Sequence, residues 1–137
     1  MFSSSLHTAL SEDTTLAALL DTYQSRPAVF ADMAPENADK PYVVFRIIKS
    51  AANSISVDEF SVFIDYFERG TSKKNMKAAA FAIETLLDQK SLTHARFSNI
   101  RFSRFSAGPV PTMDPRDIHY NIQFMARAGR SGWMQTL

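Results

Sequence analysis

Cysteine is absent from the 137 residues, which excludes a disulfide framework and any thiolate metal site. Glycine is scarce, and Gly70, Gly108, Gly129 and Gly132 are scattered, so no glycine-rich loop is available to cradle a phosphate. No lysine or arginine precedes Arg26, so the charged start of a secretory leader is missing. No apolar run approaches the ~18 residues that a membrane helix needs, and no membrane partner is expected. The histidines, His7, His94 and His119, have no carboxylate at metal-ligand spacing and read as surface or internally satisfied side chains. No serine sits in a nucleophile elbow, and Asp114 and Asp117 read as turn or capping groups. The expectation is therefore a protein that is not an enzyme, with no catalytic residue, no cofactor and no metal.

What is present describes a folded globule. The apolar fraction of 45% and the aromatic fraction of 12% are too high for a disordered chain. The length suits one domain, expected over residues 1–128, followed by a flexible tail over 129–137 that holds the only tryptophan, Trp133. Eleven phenylalanines are many for this length, and any surplus on the surface would point to a partner. The net charge of +1 is unevenly spread: residues 1–70 hold ten acidic and five basic side chains, and residues 71–137 hold four acidic and ten basic ones. Such a split is consistent with ordinary solvated faces, and equally with a dipolar subunit that meets opposite charge on a neighbour.

Periodicity divides the chain into elements. Ser3 to Ser5 offer a cap for Leu6, Ala9 and Leu10, and Asp13 or Thr14 can cap a second stretch in which Leu16, Leu19, Leu20 and Tyr23 keep helical spacing. One or two helices over about 4–23 are expected, ended by Pro27. A short strand over Val29 to Met33 and a turn over 35–39 lead to a central strand, Tyr42 to Lys49, and a loop over 51–54. Val57 to Glu68 alternates most strongly. Phe60, Val62, Ile64 and Tyr66 share one face, and Phe63 and Phe67 lie on the other beside Ser61 and Asp65.

Past Gly70, Thr71 or Ser72 caps a helix whose stripe is Met76, Ala79, Ala80, Ile83 and Leu87, ending near Gln89 or Lys90. Phe97 to Phe105 reads as a strand with Ile100 and Phe102 assigned to opposite faces. Residues 107–115 read as a stiff exposed loop, and Ile118 to Arg127 as a last, cleanly alternating strand. The fold class expected is α+β: a small, mostly antiparallel sheet of about four to five strands, packed by an N-terminal helix and one crossover helix.

Two features stand out as candidate contact surfaces. The incompletely apolar face of Phe63, Asp65 and Phe67 suits a docking subunit, or a covering loop. The C-terminal strands and their ends carry Arg96, Arg101, Arg104, Arg127 and Arg130, interleaved with Phe97, Phe102 and Phe105. That pattern can track phosphate and stack bases, although it lacks the aromatic motif of RNA-recognition sheets. The residues singled out for an oligomer or partner interface are Phe63, Asp65, Phe67, Arg101, Arg104, Arg127 and Trp133.

The order of these parts resembles the tail-terminator (tail-completion) proteins of long-tailed phages over about residues 4–127. The signatures are Leu-x-x-Leu-Leu at Leu16 to Leu20, Val-Phe-x-x-x-Ala-Pro at Val29 to Pro35, and Lys-Pro-Tyr-Val-Val at Lys40 to Val44. The long strand, the alanine-rich helix at Lys74 to Leu87 and the closing His-Tyr-Asn-Ile-Gln-Phe at His119 to Phe124 follow. The resemblance implies a ring-forming homo-oligomer, a hexamer when assembled, that caps the tail tube and ends its polymerisation. It implies contacts with the tail-tube protein and a head-side connector, and passage of DNA through the ring without sequence readout. The place implied is the tail–head junction of a phage or prophage virion, assembled in the bacterial host cytoplasm. A head-completion or neck protein of the same module, and a small nucleic-acid-binding module, are the alternatives.

Overall fold

The computed structural model describes residues 2–52, 57–94 and 97–130. Helix α1, Ser3–Glu12, buries Leu6 and Leu10, and Phe2 in the preceding cap position is buried too. No side chain caps α1, so Ser3 to Ser5 form its first turn and do not precede it. Asp13 does cap α2, Thr14–Ala17: its Oδ2 accepts the Leu16 N–H at 2.9 Å.

The helical region stops well before Pro27. The chain enters a two-stranded hairpin, β1 (Thr22–Tyr23) and β2 (Arg26–Pro27), across Gln24 at φ 51° and Ser25 at φ 66°. Two successive left-handed residues match the right-handed twist of a tight hairpin. Tyr23 thereby leaves the helical stripe in which its spacing had placed it, and its ring stands edge-on to Phe30 at 5.3 Å.

The main sheet contains β3 (Val29–Ala31), β4 (Tyr42–Ala52), β5 (Val57–Arg69), β6 (Ser91–His94), β7 (Phe97–Pro109) and β8 (Asp117–Arg130). Their order is β3-β4-β5-β8-β7-β6, with β3 parallel to β4 and every other pairing antiparallel. Six strands exceed the four to five expected. The extra edge strand β6 is Ser-Leu-Thr-His, too short and too polar to show a period. β4 also takes in Ala51 and Ala52, expected as loop, because a bulge after Lys49 lets them pair with Glu59 and Asp58. β7 runs on through Ala107, Gly108 and Pro109, also expected as loop. Pro109 is tolerated there because β6 does not extend beside it and no ladder bond is lost.

The two faces of β5 divide as its alternation requires. Phe60, Val62, Ile64 and Tyr66 are buried, whereas Ser61, Phe63, Asp65 and Phe67 are half-buried. Ile100 and Phe102 on β7 are both fully buried, which corrects their assignment to opposite faces: residues two apart on a strand share a face. Helix α3, Lys74–Leu87, crosses the inner face from the end of β5 to β6 at the far edge. Its whole stripe, Met76, Ala79, Ala80, Ile83 and Leu87, is buried. Lys73 holds its cap position, while Ser72 Oγ accepts the Lys74 N–H at 3.2 Å. The helix stops at Leu87, two residues early, because Gln89 at φ 59° turns the chain onto β7, where its N–H bonds Phe102 O at 2.9 Å.

Phe2 joins the core by edge-on contacts with Phe60 at 5.1 Å and Phe102 at 6.0 Å, and Phe102 meets Phe124 at 6.1 Å. Such pairs add about 0.5–1.5 kcal/mol each beyond area burial. The helices and the inner sheet face share this one cluster, and among the described residues no helix packs on the opposite face of the sheet.

Candidate assembly interface

The open face is built from the second set of alternating side chains on β4, β5, β8 and β7. In register across it lie Tyr42, Phe67 and His119, then Val44, Asp65 and Asn121, then Arg46, Phe63 and Gln123. Phe63, Asp65 and Phe67 are therefore together, as their alternation in β5 indicated. Each is half-buried by its own neighbours on the sheet.

One end of this face is a row of rings. Tyr23 meets Phe30 at 5.3 Å, Phe30 meets Tyr42 at 5.9 Å, Tyr42 meets Phe67 at 5.3 Å, and Phe67 stacks on His119 at 4.3 Å. Aromatic cross-strand neighbours of this kind stiffen a sheet. Asp65 Oδ1 lies 2.8 Å from His119 Nε2 and accepts the Asn121 amide at 2.9 Å. His119 is thus a satisfied histidine, as is His7, whose Nε2 lies 3.0 Å from Val29 O. Among the described residues no group of three or more His, Asp and Glu is placed to hold a metal ion. Among the described residues no helix is long and apolar enough to cross a membrane.

Two features of the face were missed in the sequence. Arg46 places its guanidinium 5.0 Å from the centre of the Phe63 ring. Tyr42 and Phe30 complete the ring row. The outward alternation of Tyr42, Val44, Arg46 and Ile48 was legible, but was obscured by the apolar residues on both sides of β4.

The arginines separate. Arg101 and Arg127 stand directly opposite each other on β7 and β8. Like charges so placed oppose each other. Arg101 turns to Gln89 Oε1 at 3.0 Å, and Arg127 lies 3.8 Å from Glu59. Arg104, three residues from Arg101, alternates onto the helix-covered face, opposite Phe124. Its guanidinium donates to Glu84 on α3 at 3.2 Å and its N–H to Asp88 Oδ1 at 2.8 Å. Phe102 is in the core and cannot stack on a ligand, whereas Phe105 is 67% exposed. Arg96, Trp133 and the tail from 131 onward lie outside the described residues, as do the side chains of Phe97 and Arg130.

The 110–116 loop at the base of the face is tied down by charge. Arg69 donates to Asp117 at 2.6 Å and to Asp114 at 3.2 Å, and Thr112 Oγ1 donates to Asp117 O at 2.8 Å. The Arg116 N–H and guanidinium, with the charge of Arg69, hold the Asp114 carboxyl below its usual range. The turn role expected for Asp114 and Asp117 is what these contacts describe.

The sequence profile described as "Tail completion protein gp17" matches residues 4–129. No curated protein sequence matches the chain. Among solved structures, a chain of the "Virion of native gene transfer agent (GTA) particle" is similar in fold. Its TM-score is 0.75 at 19% identity, over 92% of this chain and 92% of that one. With the profile spanning nearly all of the described sheet and helices, the chain belongs to the tail completion protein family, structural proteins of phage tail and virion assembly.

Proposed function

We propose that this protein is a tail terminator: a ring of identical subunits, six when assembled, that caps the finished tail tube and stops its polymerisation. The same ring offers its other side to a head-side connector, and DNA passes through it without being read. In this reading residues 1–128 act as one domain, the protein works without chemistry at the tail–head junction, and it assembles in the host cytoplasm.

The observation that carries the reading is the open sheet face. A monomer gains nothing from leaving Phe63, Phe67, Tyr42 and Phe30 half-exposed in one continuous patch, whereas a subunit that must bind a neighbouring protein does. Phe63, Asp65 and Phe67 are assigned to contact with the tube protein or the connector, and the Trp133 tail to an accessory contact. Deleting the gene from a producing host tests this. Overlong tubes without heads are the expected outcome. Tails of normal length left unattached would instead make it a neck protein.

The opposed Arg101 and Arg127 favour a second reading, a phosphate-binding surface. It predicts nucleic-acid binding that weakens steeply with salt, and no gel shift at low salt would remove it.

A further inference from the structure

We infer that copies of this chain join edge to edge, the free edge of β4 in one copy pairing antiparallel with the free edge of β7 in the next. This deepens the ring reading above and rests on it.

Each outer strand of the sheet covers only part of its neighbour. β3 pairs with β4 at Val43 to Phe45 and then leaves it. The Val43 N–H bonds Ala28 O, and Phe45 O accepts the Asp32 N–H, so these residues point their backbone groups toward β3. By alternation Ile47 and Lys49 point the same way, and no described strand lies beside them. On the far side, β6 pairs with β7 only as far as Arg101; Gln89 and Lys90 then take up the Phe102 backbone and Asp88 Oδ1 accepts the Arg104 N–H, so the free edge begins beyond Arg104. Ser106 and Gly108 face β8, so Ala107 points its N–H and C=O outward. Exposed backbone of this kind is a template for another strand.

Three further observations fit the two edges to each other. First, β4 and β7 run in opposite directions, since three antiparallel steps separate them. Copies in the same orientation therefore meet antiparallel, in the head-to-tail contact that closes a ring. Second, the free segments are staggered: Lys49 is level with Phe102 across the sheet, and Arg46 with Ser106. Pairing them shifts each copy along the strand direction, as a closed cylindrical sheet requires. Third, exposed apolar side chains gather here. Met33 (78% exposed) and Ile48 (45%) stand at the β4 edge, and Phe105 (67%) stands at the β7 edge. Edge pairing leaves the open face free for the tube or connector.

The lack of cysteine makes the test clean. A double variant, Ile48→Cys with Ser106→Cys, would replace the deleted gene in a producing host, and its tails would be oxidised and run on a denaturing gel. Within one copy β5 and β8 hold these positions about 14 Å apart, too far for a disulfide. A ladder of covalent multimers is expected, with each single variant staying monomeric. Monomers alone, in tails of normal length, would overturn the edge pairing and leave the ring reading standing. Dimers of the single Ile48→Cys variant would overturn it by showing a two-fold β4 contact. A gene deletion without effect on tube length or head attachment would overturn the ring reading itself.

Discussion

Tyr66 donates its phenolic proton to Glu68 at 2.9 Å, two residues along β5 and on the same buried face. Burial first, and the Glu68 carboxylate second, push the phenol above its ordinary range. Glu68 is one of two buried acidic residues in the described core, with Asp58 toward the other end of β5. Its carboxylate is tolerated at the edge of the inner face because the Tyr66 hydroxyl answers it.

This pair makes stability fall at high pH. The native state keeps the Tyr66 proton longer than the unfolded chain does, so the contribution is complete below the unfolded phenol value of about 10 and is lost as pH rises beyond it. Tyr66→Phe should cost about 1–3 kcal/mol at neutral pH by leaving Glu68 unanswered. It should also flatten the alkaline decline relative to the parent protein. Urea midpoints at neutral pH and above pH 10 check both.

Phe63 and Ile64 are neighbours with opposite fates. Ile64→Asp buries an unpaired charge on a fully covered face and should abolish cooperative folding. Phe63→Asp should melt within a few degrees of the parent while weakening assembly or partner binding. Thermal melting beside light scattering decides between them. A soluble, cooperatively melting Ile64→Asp protein would contradict the assignment of the faces.

Asp13→Ala removes the acceptor of the Leu16 N–H at the start of α2. It should cost about 1 kcal/mol, visible as a lower urea midpoint at unchanged slope. Asp13→Ser should recover most of it, because a hydroxyl caps as well as a carboxylate.

Trp133 is the only tryptophan, so emission excited selectively in the tryptophan band, with a tryptophan-free or spectrally subtracted tube sample, reports on residue 133. If the tail contacts a partner during assembly, the emission maximum should move to shorter wavelength when tube ends are added. An unchanged spectrum in samples that contain capped tubes would exclude the tail from the interface.

Much of this protein was legible in its residue order because local physics dictates it. The two-residue period of β5 and β8 announced which side chains are core, and the stripe from Met76 to Leu87 announced the face of α3. Asp13 could be read as a cap from its place before an apolar run. The mixed face of Phe63, Asp65 and Phe67 was visible for the same reason.

What the sequence could not supply depends on partners distant along the chain. Tyr23 keeps helical spacing, yet it stands in a hairpin against Phe30. Ala107 to Pro109 carry the residues of a loop, yet they pair with β8. Alternation alone puts Arg104 and Arg101 on opposite faces of β7, but only the packing of α3 gives Arg104 its partner Glu84, and only strand order sets Arg101 against Arg127. The sequence alone determined the class of fold, the family and the buried faces of β5, β8 and α3, because alternation and helical stripes are set by nearest neighbours in the chain. Tertiary structure alone decided which strands stop short of their neighbours, because strand order and bulges follow from long-range pairing. It is those shortfalls that leave stretches of β4 and β7 without a described strand beside them.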